Sequence, residues 1–272
     1  MVRSLERTFA LSLILIIMAS FSACIQKEPT PQNLANEIED VDKYMYSLEY
    51  HLKSPYGNSS MYYRGGFNYD RAEAFWEGKI IYSNGDVIYI NETIIEDFLY
   101  FSYVTERNNK IIDSETANMT IQEYFEKLKD HLQPNIKTVE DLRYEILKGA
   151  DLRSNPLYYI REALNNVTNF ETTKGDGIYL VAFNFTKIYE MPIPENISAA
   201  EMAYYESIKH TTITKGFMRL WVKGNLPIKG EIKGIEIFKL LAENITSTRE
   251  FNVKFEVTSD YKRPEWLKKV LQ

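Results

Sequence analysis

The chain has 272 residues, of which 44% are hydrophobic and 26% are charged, and its formal net charge at pH 7 is −6. This composition supplies enough apolar side chains for a sizeable core. It offers no basic stripe that would replace the counterions of phosphate groups, so the sequence predicts no nucleic-acid partner.

Residues 1–23 have the pattern of a signal peptide. Arg3 and Arg7 form a short basic start, and mostly apolar residues follow from Phe9 to Phe21. A helix that crosses the hydrocarbon core needs about 20 apolar residues, so this stretch is too short for a permanent span and fits the apolar region of a signal. We therefore expect residues 1–23 to direct export and to be removed.

The end of this segment, Phe21-Ser22-Ala23-Cys24, resembles the lipobox of prokaryotic lipoproteins. In those proteins a peptidase cuts just before the cysteine, whose thiol carries a diacylglyceryl-type lipid. Cys24 is the only cysteine in the chain and has no internal disulfide partner. Two acyl chains hold a protein stably on a bilayer. We expect lipidation at Cys24 and a location on the extracytoplasmic face of the cell membrane; ordinary cleavage that leaves a free thiol is the alternative.

Residues 24–32 are expected to form the lipidated cysteine and a polar linker. The stretch from Gln26 to Gln32 contains two prolines and nothing apolar to bury. Extended proline-rich chain rises about 3.1 Å per residue, so it would lift a domain off a membrane surface. No internal repeat and no break rich in proline or glycine follows, and we predict one domain over residues 33–272.

The first part of this domain shows one helical segment and then stretches with an apolar side chain at every second position. Such alternation places apolar side chains on one face of a strand. A turn signal at Ser83-Asn84-Gly85-Asp86 separates two of these stretches. The helix is predicted at Leu34–Tyr44, and the strands at Tyr46–Lys53, Met61–Phe67, Ala74–Tyr82, Val87–Ile90 and Phe98–Ile112.

Helical spacing dominates the middle of the chain. Thr120 and Glu123 have the spacing of a capping box, and Pro156 stands near the first turn of a later helix. The predicted apolar stripes are Ile121, Phe125, Leu128 and Leu132; Val139, Leu142, Ile146 and Leu147; and Leu157, Ile160 and Leu164. These helices interrupt the strands as a block, which indicates the α+β class.

Strands return after the helical block. In Ile178–Phe185, the side chains of Tyr179, Val181, Phe183 and Phe185 are predicted to point inward, with Asn184 on the solvent side. The remaining elements are a helix at Ser198–Ile208, strands at Thr214–Val222, Ile228–Leu240 and Phe251–Val257, and a last helix at Pro264–Leu271. One-sided strands belong to antiparallel sheets with one wet face.

Asn-x-Ser/Thr sequons are enriched. The chain has 19 asparagines and 33 serines and threonines, so chance predicts about two sequons. Seven are present, which suggests N-glycosylation on an outward surface, unless these residues simply cluster in turns. A lipobox with dense sequons is typical of an archaeal envelope. The candidate sites are Asn58, Asn91, Asn118, Asn166, Asn184, Asn196 and Asn244.

The order of elements over Asn33–Asp260, with the strand–turn–strand stretch Leu220–Ile228, resembles the LolA, LolB and LppX family of lipoprotein carriers and lipid-binding lipoproteins. The resemblance implies a large curved antiparallel sheet, or incomplete β-barrel, with helices on its concave face and a hydrophobic cavity for acyl chains. Aromatic residues in the first strands also favour a pocket, with plain core packing as the alternative. They are Tyr44, Tyr46, Tyr50, Tyr62, Tyr63, Phe67, Phe75, Trp76, Tyr82 and Tyr89.

Sequence signatures of catalysis are absent. The chain lacks Gly-x-Ser-x-Gly, His-Glu-x-x-His, Cys-x-x-Cys and the phosphate-binding glycine loops, and we interpret His51, His131 and His210 as surface residues. No catalytic residue, metal site or cofactor is therefore predicted. The sequence favours a non-enzymatic, membrane-anchored lipoprotein that binds a lipid or other hydrophobic ligand. The alternative is an envelope interaction or structural module with a filled core that binds another protein.

Overall fold

The structure is a computed structural model. It describes residues 28–129, 132, 136–149, 151–191, 193, 197–224 and 226–271. The predicted signal peptide, the lipidation candidate Cys24 and part of the linker lie outside the described residues, as do His131 and the sequon residue Asn196.

Eleven antiparallel strands form a single sheet. They are β1 (Lys43–Ser54), β2 (Gly57–Asn68), β3 (Glu73–Tyr82), β4 (Asp86–Ile95), β5 (Phe98–Arg107), β6 (Lys110–Thr120), β7 (Val167–Gly175), β8 (Ile178–Glu190), β9 (His210–Lys223), β10 (Leu226–Leu240) and β11 (Ile245–Thr258). Consecutive strands pair with each other except β6 and β7, which lie at the two edges, and β1 also pairs with β11. The sheet is not closed, which confirms the predicted incomplete barrel.

Six helices accompany the sheet in the described residues. They are α1 (Pro31–Glu39), α2 (Ile121–Leu128), α3 (Val139–Lys148), α4 (Pro156–Leu164), α5 (Ala199–Ile208) and α6 (Glu265–Val270). Capping boxes at Thr120, Thr138 and Ser198 satisfy the first backbone N–H groups of α2, α3 and α5, and the box at Thr120 confirms its prediction. Helices α2 to α4 connect the two edge strands and pack on the concave face of the sheet.

The main core lies between this concave face and helices α1 to α4. Tyr179, Val181, Phe183 and Phe185 are all at most 4% exposed, so the prediction that they point inward is confirmed. Helix α4 contributes its apolar stripe to the same core, with Ile160 fully buried. The α+β class and the covered concave face are therefore as predicted.

Several predicted elements differ at their boundaries, and two of them were wrong about the type or number of elements. The first helix ends at Glu39, and Tyr44 belongs to β1, because the alternation of Tyr44 and Tyr46 places both rings on the concave face. The predicted strand Phe98–Ile112 is a hairpin of β5 and β6. Its turn is made by Asn108 and Asn109, whose φ angles of 51° and 58° fit the left-handed turns that twisted hairpins favour.

The C-terminal segment is an exception to the concave packing, since α6 lies on the convex face. Leu267 is fully buried against Phe75 and Ile95, which point away from the main core. Nearby, Arg263 donates from Nε and Nη2 to the two carboxylate oxygens of Glu73, both at 2.7 Å. The segment therefore holds the back of β3 and β4 with an apolar cluster and a bidentate ion pair.

Candidate functional site

The register of β3 to β6 aligns rows of side chains across the concave face. Trp76 pairs with Glu92, Glu92 with Phe101, and Phe101 with Ala117. Neighbouring strands lie about 4.8 Å apart, so this row crosses about 14 Å of the sheet. The adjacent row consists of Ala74, Ile94, Leu99 and Met119.

Two helices close over these rows. Tyr124 of α2 and Ile146 of α3 face the sheet and leave a cleft of about 450 Å³, which we call the β3–β6 cleft. Apolar pockets of this size hold small organic ligands in many proteins. The lining residues are Trp76, Glu92, Thr93, Leu99, Tyr100, Phe101, Ala117, Met119, Tyr124 and Ile146.

Local contacts fix the helices above the cleft. Strand β6 ends at Thr120, whose capping box starts α2 without an intervening loop. The backbone N–H of Ile121 donates to the carbonyl of Asp97 at 2.8 Å, and Arg143 Nη2 of α3 lies 2.5 Å from Asp97 Oδ1. The turn between β4 and β5 therefore holds both helices at this end of the sheet.

The loop of residues 151–155, between α3 and α4, fills the middle of the concave face. Trp76 Nε1 donates to the carbonyl of Ser154 at 2.5 Å, and the Tyr46 hydroxyl donates to the carbonyl of Arg153 at 2.6 Å. Buried carbonyls need such donors because water does not reach them. These bonds seat the loop on β1 and β3, so the cleft ends at Trp76.

Asn155, only 1% exposed, orders this loop. Its Oδ1 accepts from the Tyr44 hydroxyl at 2.5 Å and from the backbone N–H of Tyr158 at 2.9 Å, which caps α4. Its Nδ2 donates to the Tyr69 hydroxyl at 3.0 Å and to the carbonyl of Leu147 at 3.3 Å. Burial raises the pKa of the Tyr44 phenol, so it stays a donor at neutral pH. The loop is thus a fixed wall of the cleft.

Glu92 is the only carboxylate among the cleft-lining residues. Burial raises the pKa of Glu92, the charge of Asp151 raises it further, and Arg153 acts in the opposite direction. Within the described part of the chain, no cation lies within ion-pairing distance of Glu92. An apolar cleft with one uncompensated acidic group is chemically suited to an amphiphile.

A smaller pocket of about 110 Å³ lies on the other side of the loop. Two ion pairs line it: Arg153 Nε lies 2.7 Å from Asp151 Oδ2, and Arg249 Nε lies 2.5 Å from Glu236 Oε2. Burial would lower the pKa of Arg153, but Asp151 raises it, so the guanidinium remains charged. This pocket satisfies its own charges and is too small for an acyl chain.

The aromatic residues singled out in the sequence have several roles. Of the ten, only Trp76 lines the β3–β6 cleft. Tyr44, Tyr46, Tyr50 and Phe67 are buried in the main core, Phe75 packs on the convex face, Tyr63 is half-buried, and Tyr62, Tyr82 and Tyr89 are exposed. Packing therefore accounts for most of them, which is the alternative that the sequence left open.

The cleft residues of β5 and β6 were missed in the sequence. Ala117 and Met119 alternate with polar residues in β6, whereas Leu99 and Phe101 lie in a run of aromatic and aliphatic residues in β5. This alternation was the available signal. It was obscured because the two strands were interpreted as one.

The sequon residues lie mostly at the surface. Asn58, Asn118, Asn166, Asn184 and Asn244 are exposed, and Asn91 is half-buried in β4. The exposure of Asn184 confirms which face of β8 it occupies. Glycosylation at all seven sites, including Asn196, stays a prediction, as does lipidation at Cys24.

His51 and His210 have partners that give no sign of a catalytic or metal-binding role. His51 is exposed, with Nδ1 3.0 Å from Ser60 Oγ and Nε2 2.9 Å from Glu49 Oε1. His210 packs against the ring of Phe238, with 4.8 Å between the ring centres. Among the described residues, no group of three His, Cys, Asp or Glu side chains could hold a metal ion. In the same part of the chain, no helix is long and apolar enough to cross a membrane.

Neither a scan against protein-family models nor a search of curated proteins finds a match. Among solved structures, the chain is similar to a β-barrel-like protein of domain of unknown function DUF1849 from Brucella abortus, with 10% identity, a TM-score of 0.28, and coverage of 81% of this chain and 99% of that chain.

Two other solved structures are similar over most of their length. An outer membrane lipoprotein-sorting protein domain from Vibrio parahaemolyticus is 12% identical, with a TM-score of 0.26 and coverage of 88% of this chain and 95% of that chain. A DUF1329 family protein from Desulfovibrio piger is 7% identical, with a TM-score of 0.25 and coverage of 90% and 100%. TM-scores this low establish no family, so function must be inferred from the cleft itself.

Proposed function

We propose that the protein is a membrane-anchored, extracytoplasmic binding protein that holds the chain of a lipid or other amphiphile in the β3–β6 cleft and catalyses no reaction. The observation that supports this proposal is the cleft, about 450 Å³ in volume and apolar except for Glu92 and the hydroxyl groups of its rim. Burial of each CH₂ group contributes about 0.8 kcal/mol. A chain with about eight buried CH₂ groups would therefore gain about 6 kcal/mol, before the entropy cost of association.

A lipid at Cys24 would keep this cleft close to its source of ligand. Helix α1 begins at Pro31, so residues 24–30 would form the tether. At about 3.1 Å per residue, an extended tether spans about 22 Å. The anchor and the cleft thus have separate tasks, since one holds the protein at the membrane and the other takes up the ligand.

The test is titration with N-phenylnaphthylamine, a neutral apolar dye that becomes fluorescent in dry pockets. The chain carries Cys24→Ser, so that no attached lipid competes for the cleft. We expect saturable binding, and we expect Ala117→Trp to weaken it by about tenfold or more because the indole fills the cleft. Ala182→Trp is the matched control, since Ala182 lies in a strand of the same sheet on the convex face of β8.

Native mass spectrometry of the same protein gives an independent reading. A lipid that co-purifies with the wild-type cleft and is lost in Ala117→Trp would support the proposal. A protein that is empty and does not bind the dye would defeat it and would favour the alternative, an envelope module that binds another protein.

A further inference from the structure

Glu92 has an unusual position for an ionisable side chain. It lies in the row between Trp76 and Phe101, two strands away from the nearest sheet edge at β6. The helices above it contribute Tyr124 and Ile146. Glu92 is half-buried there. A carboxylate in such surroundings loses part of its hydration, and this loss is unfavourable unless a partner replaces the water.

Several other carboxylates of the sheet have arginine partners. Glu73 is bound by Arg263, Glu236 by Arg249, and Asp86 by Arg107. Glu92 has no such partner among the described residues. Trp76, its neighbour across the strands, already donates its N–H to Ser154, and Arg153, whose charge acts on Glu92, is bound to Asp151.

We propose that Glu92 binds the hydroxyl or ammonium group of the ligand, so that the cleft takes amphiphiles with a hydrogen-bond-donating head group in preference to fatty-acid anions. This inference rests on the proposed function, because it assigns the ligand class of the same cleft. An ammonium or hydroxyl group supplies the donor that Glu92 lacks, and the bond is strengthened by the carboxylate charge. A carboxylate ligand brings a second negative charge to the same site, which is unfavourable.

The experiment compares three competitors of equal chain length at neutral pH. Decanol, decylamine and decanoate each displace N-phenylnaphthylamine from the protein carrying Cys24→Ser. We expect decanol and decylamine to compete at concentrations about tenfold lower than decanoate, which is the size of effect expected of one charge-assisted hydrogen bond. Comparison of decanol with decylamine shows whether the cleft prefers a hydroxyl or a cationic head group.

Glu92→Gln tests the residue itself. The amide keeps the size of the side chain and removes its charge, so the advantage of decylamine over decanoate should fall to within about threefold. Glu115→Gln is the matched control, because Glu115 lies on the same face of the sheet in the edge strand β6 but is exposed. It should leave the order of the three competitors unchanged.

The outcomes separate the two proposals. If the dye does not bind to the unchanged cleft, the proposed function fails and this inference fails with it. If the dye binds but the three competitors are equally effective, only the inference about Glu92 is overturned. A preference that persists in Glu92→Gln, or that disappears in Glu115→Gln, also overturns it.

Discussion

The two halves of the sheet differ in which of their faces are covered. In β8 to β11 the concave face is packed, with Phe183, Met218 and Val253 fully buried, while the convex face is in solvent. In β3 to β6 the concave face is partly open as the cleft. The convex face of this half is covered instead by the C-terminal segment, through Phe75 and Leu267.

This difference shows how a sheet can keep a cleft and remain stable. A strand with both faces exposed has little apolar burial to offset its conformational entropy. The open half avoids that problem because α6 and the pair of Glu73 and Arg263 hold it from behind. The packed half needs no such support, and its convex face is free to carry exposed residues such as Asn184.

The largest predicted effect contrasts one phenylalanine from each half. Phe183→Ala should lower the free energy of unfolding by about 3 to 5 kcal/mol, since the ring is fully buried and its loss leaves a cavity. Phe101→Ala should cost about 1 kcal/mol, because the Phe101 ring is only half-buried in the cleft. Urea unfolding of both variants measures the difference. Equal losses would mean that the cleft is packed like the rest of the core.

The second prediction concerns the support behind the open half. Arg263→Gln leaves the fully buried carboxylate of Glu73 without its cation and should lower the free energy of unfolding by about 2 to 3 kcal/mol. The loss is smaller than for a fully enclosed ion pair because Arg263 is itself partly exposed. Lys262→Gln is the control and should change stability by less than about 0.5 kcal/mol, since the pair of Lys262 and Asp260 is exposed.

The stability that Arg263→Gln loses should depend on pH in a direction that follows from the pKa of Glu73. Burial alone would raise the pKa of Glu73, but the hydrogen bonds from Arg263 and Tyr261 lower it. The stability due to the pair is therefore present above the ordinary pKa of glutamate and is lost as the pH falls through the lowered value. Urea curves should show the Arg263→Gln deficit shrinking in acid. A deficit independent of pH would show that packing, and not charge, holds the segment.

The third prediction concerns the loop that separates the two halves. Asn155→Ala removes the cap of α4 and leaves the Tyr44 hydroxyl without its acceptor, so it should cost about 2 kcal/mol by urea unfolding. Asn165→Ala, at the exposed other end of α4, should change stability by less than about 0.5 kcal/mol. An equally small loss of stability in Asn155→Ala would mean that the Asn155 side chain does not fix the loop.

Local patterns in the sequence were enough for much of the fold. Alternation predicted the inward face of Tyr179 to Phe185, and the spacing of Thr120 and Glu123 predicted a helix start. The turn at Asn108 and Asn109 was missed because it contains no glycine. Turn residues without glycine give a weaker signal than Asn-Gly.

The cleft itself could not be predicted from local sequence patterns. It depends on Ile146 of α3 lying above Phe101 of β5, and on the loop stopping at Trp76. Such contacts between distant segments leave no periodic trace in the sequence. Glu92 is visible there only as the middle residue of the sequon at Asn91, and nothing in that motif indicates an apolar environment.

The smallest predicted effect tests whether Glu92 lowers the stability of the protein when no ligand is bound. Burial and the charge of Asp151 raise the pKa of Glu92, with only partial opposition from Arg153. A raised folded-state pKa means that the stability due to the protonated group is present below the ordinary pKa of glutamate and is lost as the pH rises through the raised value. Glu92→Gln should therefore stabilise the protein by about 1 kcal/mol at pH 7.

The gain from Glu92→Gln should vanish below about pH 4, where the native carboxyl is also neutral. Glu115→Gln, exposed on the same face, should give no comparable gain at either pH. Urea unfolding at both pH values measures the difference, and a loss of stability at pH 7 would mean that Glu92 already has a favourable partner. A gain would support the view that the open half keeps this carboxylate for its ligand, at the expense of stability.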